Sequence, residues 1–375
     1  MDVIDDVDLL VTMVASGIVD AYEIAQEEHA LPVPYPVNLQ RALDRLTVFA
    51  MARGERPPWG VAELLRWCAR PLAEHFPIAD GELGDEVFLE DGVPTREARE
   101  WALVARNAEA ERIERRVIAK VKGAARSAGR QDVYVAFRRL VIDEPVLSVL
   151  EFNRRLLDPV LSLVAAAIHE SYTAAGPEFL RSDVAIACDD CGHLLRWEGD
   201  TAQCRNDRCS RTGPPKEGTR FDASESVMHL HEGIRVSVSA PGVAEMRLWR
   251  KFTGPKYRAA GLAVHLWPAF DAYDLGLVFP DRTVWAIDVK DWASPVRLAR
   301  EVSPIPREPA VPEGSMWTQA FLVPSDDCRR PVPDYIKTLK QRLKQRTTAV
   351  NFQAVTESTL ARRVDAKLFG GNGHA

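Results

Sequence analysis

No run of about 18 apolar residues, the length that crosses a bilayer, occurs in this chain of 375 residues. Its N-terminus, MDVIDDVDLL, lacks the basic start that opens a signal peptide. Both absences point to a soluble, cytoplasmic protein with no membrane partner. No GxxxxGK[ST] phosphate loop is present, so the chain is expected to carry no ATPase of its own. Gly370, Gly371 and Gly373 lie in a terminal GGNGHA tail and make no nucleotide loop. No GxSxG elbow occurs, which argues against a hydrolase serine. Cys68 and Cys328 have no evident histidine partner, so cysteine-protease chemistry is not expected: Cys68 reads as helix core and Cys328 as a loop thiol. There is no internal repeat and no long low-complexity tract. Residues 1–30 contain no lysine or arginine, against eight carboxylates (Asp2, Asp5, Asp6, Asp8, Asp20, Glu23, Glu27, Glu28).

Hydrophobic residues make up 46% of the chain and charged residues 27%, which is globular usage and excludes global disorder. At roughly 150 residues per domain, the length implies two or three domains. The net charge of −6 argues against a general polyanion binder, but the charge is segregated. Residues 106–139 hold ten Lys/Arg against four Asp/Glu, and residues 329–346 hold seven against the single acid Asp334. Each run is either a solvated helix face or a phosphate-binding surface. The acidic start either docks on a basic partner or masks a basic face of the same chain.

Residues 1–180 read as an all-α region. Val3, Ile4, Val7, Leu9, Leu10 and Val14 make an apolar stripe at helical spacing, and Leu39–Met51 repeats it. Pro57-Pro58 announces a helix over Trp59–Phe76, and an Ala/Glu/Arg-rich helix runs from Thr95 to about Ala128. Phe137–Ile142 and Val146–Tyr172 read as further helices broken by Pro145, the second apolar enough to be buried. Residues 183–214 carry a cysteine cluster, followed by a polar linker. Residues 228–368 read as an α/β domain with a central mixed sheet. Gly233–Ser239 alternates as a strand does, and Val243–Phe252 is a short helix. Ala263–Trp267, Leu275–Phe279 and Val284–Val289 are strands, the last two joined by a hairpin at Pro280-Asp281-Arg282. A loop with Pro304, Pro306, Pro309 and Pro312 leads to a strand at Thr318–Val323. The basic helix Tyr335–Arg346, a strand at Ala349–Val355 and a helix at Ser358–Leu368 complete the domain.

The cysteines are spaced Cys188-x2-Cys191 and Cys204-x4-Cys209. Two thiolate pairs on facing knuckles supply the tetrahedron that structural Zn²⁺ takes, so a zinc ribbon is expected. Four Cys ligands leave no open position for a catalytic water, and the ion would support a module too small for its own core. His193 is a weaker competing ligand. His229 and His231 read as structural or surface residues.

The segment AVHLWPAFDAYDLGLVFPDRTVWAIDVKDW, residues 263–292, carries the chemistry. Asp274 opens one strand of the hairpin, and the next ends in Asp288-Val289-Lys290. Period-2 alternation puts Asp288 and Lys290 on one face, and antiparallel pairing brings Asp274 beside them. Two carboxylates and the Val289 carbonyl offer three hard oxygens to Mg²⁺. Lys290 beside them would orient or activate a water and steady charge on phosphorus. Glu245, on the preceding helix, is a candidate fourth ligand; Asp271 and Asp291 are weaker ones. D-x-K by itself also describes a plain salt bridge at a sheet edge. Trp292 is placed either to stack on a base or to pack the next helix.

The order helix with Glu245, Asp274, hairpin, Asp288-Val289-Lys290, helix resembles the PD-(D/E)xK restriction-endonuclease-like fold, with Tyr273-Asp274 in place of Pro-Asp. The cysteine ribbon followed by this segment resembles, more narrowly, the REase that associates with prokaryotic Piwi-type RE proteins, over about residues 185–365. The resemblance implies active-site roles for Asp274, Asp288 and Lys290, and less directly for Glu245. It implies a defence nuclease acting with a Piwi-like protein and a helicase. The expected activity is Mg²⁺-dependent cleavage of DNA, or of an RNA–DNA hybrid, as an endonuclease. Lys337, Lys340, Arg342, Lys344 and Arg346 would contact phosphates, which gives affinity without sequence choice. A homodimer would supply two sites for cutting both strands. The alternatives are a non-catalytic nucleic-acid-binding scaffold and a transcription regulator with a zinc ribbon.

Overall fold

The computed structural model describes residues 7–28, 30–76, 86–95, 97–99, 101–102, 108–206, 209, 214–222, 226–292, 294–308, 316–330, 332–346 and 349–370. Asp2, Val3, Ile4, Asp5, Asp6, Pro309, Pro312, Gly371 and Gly373, all named above, lie outside the described residues, as does part of the helix read over 95–128. The chain forms two compact units, residues 1–109 with 293–297, and residues 110–292 with 298–375. Among the described residues, no helix is long and apolar enough to cross a membrane.

In the first unit, α1 (Val7–Glu28), α2 (Val37–Ala52) and α3 (Val61–Cys68) precede a short hairpin of β1 (Leu89–Glu90) and β2 (Val93–Pro94). Helical spacing decides what is buried. Val11, Val14, Ala15, Ile18 and Val19 of α1 share a core with Leu39, Ala42, Leu43, Leu46 and Phe49 of α2. Cys68 is part of that core. Gly17 lets the two helices approach: a Cβ there would lie 2.8 Å from the Leu39 Cα, a backbone atom with no room to yield. Gly17→Ala is therefore expected to destabilise this unit by about 1–3 kcal/mol, despite alanine's better helix propensity. An unchanged urea midpoint would refute that packing.

The second unit begins with α4 (Ala108–Ser127) and α5 (Gln131–Asp143). The single helix expected over 146–172 is instead β3 (Val146–Ser148), α6 (Val149–Leu156), a 3-10 turn, α7 (Ala165–Ser171) and β4 (Tyr172–Ala174). Local hydrogen bonds override the apolar run. A capping box of Ser148 and Glu151 starts α6, and Asp158 Oδ1 accepts from Val160 N and Leu161 N beyond its end. Leu150 and Leu157 are exposed rather than buried.

Next come β5 (Leu180–Arg181), β6 (Val184–Cys188), β7 (Leu195–Glu198), β8 (Thr201–Cys204), β9 (Glu217–Asp222) and β10 (Val227–Leu230). They form a β5–β6–β9 sheet and a β7–β8 pair, while β10 joins β3 and β4. His229 of β10 packs on the Phe179 ring at 4.7 Å between centroids. Burial, with Arg205 nearby, lowers its pKa from 6.5 to about 4. A histidine kept neutral in the fold stabilises it fully above pH 6.5. That contribution is lost as pH falls from 6.5 to about 4, at roughly 1.4 kcal/mol per unit. His229→Gln should flatten the fall of the urea midpoint across that window; an unaltered slope would exclude the assignment.

Residues 233–239, expected as a strand, are helical: a turn at Glu232–Ile234, a π-helical stretch at Arg235–Ser239, then α8 (Ala240–Phe252). The Val/Ser alternation hid a helical pattern. Ile234 and Val238, four apart, are buried, and so are Arg235 and Ser239. Gly242 lets α8 meet α5, since a Cβ there would lie 2.3 Å from the Ile142 Cδ1.

The last region is a five-stranded mixed sheet in the order β11 (Ala263–Leu266), β12 (Leu275–Val278), β13 (Val284–Lys290), β14 (Gln319–Pro324), β15 (Gln353–Ala354). β11, β12 and β13 pair antiparallel; β13, β14 and β15 pair parallel. Its longer helices after the β12–β13 hairpin are α9 (Pro295–Glu301), α10 (Tyr335–Gln345) and α11 (Glu357–Phe369). One sheet face, with Leu275, Leu277, Trp285, Ile287 and Phe321, packs with residues of α4, α5, α8 and α11. The other, with Val284, Ala286, Ala320 and Leu322, packs on Leu298, Ala299, Tyr335 and Leu339.

Candidate functional site

The hairpin register assembles an acidic cluster. Leu275 pairs with Ile287, so Asp274 stands opposite Asp288 one step beyond the ladder, and its N–H donates to the Ile287 carbonyl at 3.0 Å. The Val289 N–H donates to Asp274 Oδ2 at 2.6 Å. Its carbonyl points to the same strand edge as its N–H. Lys290 Nζ donates to Asp288 Oδ1 at 2.7 Å, as expected for i and i+2 of one strand. Among the described residues, Asp274 Oδ1 and Asp288 Oδ2 accept no hydrogen bond. The cluster opens toward solvent at the lysine, whose side chain is 30% exposed against 14% for Asp288.

Burial raises the Asp274 pKa well above the ordinary carboxylate value, and Glu245 and Asp288 raise it further. Burial alone would lower the Lys290 pKa. The Asp288 and Asp274 carboxylates outweigh it and hold the ammonium above its ordinary value.

Glu245, on α8, is also buried, and its carboxylate is engaged. Arg138 Nη2 donates to its two oxygens at 3.2 and 3.0 Å, and Trp267 Nε1 donates to Oε2 at 2.5 Å. Asp271 Oδ2 accepts from Arg138 Nη1 at 3.2 Å, Tyr134 Oη at 2.9 Å and Lys122 Nζ at 3.3 Å. Asp291 lies apart, accepting from the Cys328 thiol at 3.2 Å. Trp292 is half-buried and packs against the core, and its carbonyl accepts from Tyr335 Oη at 2.6 Å.

The approach to Asp274 is strained. Trp267, Ala269, Phe270 and Asp271 have φ of 44°, 51°, 58° and 77°, a left-handed run that costs non-glycine residues about 1–2 kcal/mol each. Side chains of α5 hold it in place. Gln131 donates to the Trp267 carbonyl at 2.6 Å and accepts from Phe270 N at 2.9 Å, while the Arg138 guanidinium lies 4.7 Å from the Trp267 ring centroid. Sequence reasoning missed Gln131, Tyr134, Arg138 and Trp267 as part of this site. One signal was available: Tyr134, Phe137, Arg138 and Val141 share one helical face, so α5 carries a single cation among core residues.

The four cysteines form a second centre. Cys188, Cys191, Cys204 and Cys209 are buried, all ligating atoms lie within 4.8 Å of one another, and Cys191 Sγ lies 3.5 Å from Cys204 Sγ. A tetrahedral Zn²⁺ with bonds near 2.3 Å needs sulfurs about 3.8 Å apart, so the set fits a metal such as zinc. Gly192 takes the positive φ of 75° at the knuckle. His193 stands outside the group: its Nε2 lies 3.1 Å from Ser239 Oγ. Among the described residues, this is the one group of three or more His, Cys, Asp or Glu ligands at such spacing. Glu245, Asp274 and Asp288 do not converge that closely.

On α10, Lys337, Lys340 and Lys344 line an open cavity of about 700 Å³ with Arg329, Arg330 and Thr356. Arg342 is not part of that lining. Arg346 is used structurally, donating to the Ala299 and Val302 carbonyls.

A mixed sheet covered by helices on both faces, with Asp274, Asp288 and Lys290 at one hairpin end, defines a restriction-endonuclease-like domain. Residues 242–372 match the family model described as REase associating with pPIWI_RE, and this domain belongs to that family. Residues 10–148 match pPIWI_RE three-gene island domain Y, a match that runs through α5. No curated protein and no solved structure matches the chain.

Proposed function

We propose that this protein is a metal-dependent endonuclease that hydrolyses DNA phosphodiester bonds. The observation that carries the reading is the β12–β13 register: it sets Asp274 opposite Asp288 with Lys290 on the same face, within a domain that matches a REase family. Asp274 and Asp288 would hold Mg²⁺ through the oxygens that no hydrogen bond occupies, with the Val289 carbonyl beside them. The ion supplies Lewis acidity toward the phosphate and toward water. Lys290 orients the attacking water and stabilises the negative charge that grows on phosphorus as the bond to the leaving oxygen breaks. Glu245 assists from one step back, through the hydrogen-bonded groups around the metal-binding pair. Lys337, Lys340, Arg342 and Lys344 bind phosphates and confer no sequence choice. Zn²⁺ in the four-cysteine site is structural.

Target choice would then come from a partner. The names of the two matching families favour a Piwi-like protein; a helicase as third component and a role in defence against invading nucleic acid complete the proposal. A homodimer would bring two sites to a duplex.

The test is cleavage of supercoiled plasmid and of an RNA–DNA hybrid by the zinc-loaded chain, alone and with its co-expressed Piwi-like partner. Cleavage that needs Mg²⁺ or Mn²⁺ and stops with EDTA is expected. Tight plasmid binding with no cleavage under any of these conditions would leave the scaffold reading in its place.

A further inference from the structure

Four carboxylates, Glu245, Asp271, Asp274 and Asp288, gather at the open end of the β12–β13 hairpin with three cations, Arg138, Lys122 and Lys290. The cations divide them into two sets. Arg138, whose side chain is 9% exposed, bridges Glu245 and Asp271 at 3.0 and 3.2 Å, and Lys122 adds a contact to Asp271 at 3.3 Å. Lys290 serves the other pair: its ammonium donates to Asp288 at 2.7 Å and offsets Asp274, on which Arg138 acts through space without a hydrogen bond among the described residues. A guanidinium does not lose its proton in a protein, so Arg138 is a permanent cation. Its fork and the Trp267 indole already use both Glu245 oxygens. With all four carboxylates ionised, as metal binding to Asp274 and Asp288 requires, four negative and three positive groups leave one net negative charge. A single divalent ion nearly balances it, whereas two would leave a large uncompensated positive charge in a mostly buried place, which is costly.

We propose that Arg138 is a built-in cation that keeps Glu245 and Asp271 from ligating metal, so that the catalytic site takes one divalent ion, on Asp274 and Asp288. Arg138 is thus a positioning residue supplied by α5. This rests on the nuclease reading above and specifies its metal count.

The test is titration of the zinc-loaded full chain with Mn²⁺, read by electron paramagnetic resonance. The wild type should bind one Mn²⁺ with an uncoupled spectrum. Arg138→Gln should gain a second, spin-coupled Mn²⁺, and Arg138→Lys, which keeps the charge, should return to one. Two coupled ions in the wild type would overturn the inference and leave the nuclease reading standing. No Mn²⁺ bound outside the ribbon, together with no metal-dependent cleavage, would remove both. If Arg138→Gln does not fold, Glu245→Gln decides: a wild-type ion count with affinity within about threefold supports the inference, and a loss of about tenfold or more makes Glu245 a ligand and overturns it.

Discussion

Lys290→Ala is expected to cut the cleavage rate by about a thousandfold, on the order of 4 kcal/mol of transition-state stabilisation. The same change should leave metal binding intact or tighten it. Among the described residues, Lys290 is the cation bonded to Asp288 and the main one offsetting Asp274, so its removal leaves both aspartates more attractive to a divalent ion. Loss of turnover with retained Mn²⁺ affinity separates a catalytic lysine from one that merely closes a sheet-edge ion pair. Asp288→Asn should do the reverse and weaken Mn²⁺ binding directly. Equal cleavage by wild type and Lys290→Ala would reject the site.

Metal removal should have a second large effect, on folding. The ribbon's own core consists of the four cysteines with Ile186 and Leu195, backed by Val184, Trp197 and Ala202. So little apolar surface cannot hold two knuckles together, whereas structural Zn²⁺ contributes on the order of 10 kcal/mol. Chelation, or Cys204→Ser, is expected to release the ribbon, detected as rapid proteolysis within residues 189–215 and loss of one Zn²⁺ per chain. The effect should spread. Arg235 Nη1 donates to the Arg205 carbonyl at 3.0 Å, Arg205 pairs with Glu232 at 2.7 Å, and His193 meets Ser239, so the ribbon braces the stretch that continues into α8 and Glu245. A zinc-free chain with unchanged proteolysis and melting would show that the cysteines are not a structural metal site.

Local chemistry made part of this readable from the chain alone. The β12–β13 hairpin announces itself through Pro280-Asp281-Arg282 between two apolar runs, and strand alternation then puts Asp288 and Lys290 on one face. The cysteine spacing carries its own geometry. What stayed hidden depends on contacts between distant residues. Arg138 and Glu245 are separated by 107 positions, and nothing in either neighbourhood names the other. The left-handed turn at 267–271 uses ordinary residue types, braced from outside by Gln131, Tyr134, Arg138 and Lys122. Residues 233–239 alternate as a strand would, yet they are helical, with Ile234 and Val238 buried and Arg235 and Ser239 bonded to Arg205 and His193 of the ribbon.

The position of Arg138 bears on where this nuclease can be cut into pieces. A fragment starting near residue 228 would contain every aspartate, the lysine and the whole sheet. It would also carry Glu245 and Asp271 with no guanidinium between them, and the 267–271 turn without its glutamine brace. An inert minimal fragment would therefore report an amputated counter-ion rather than a dead enzyme.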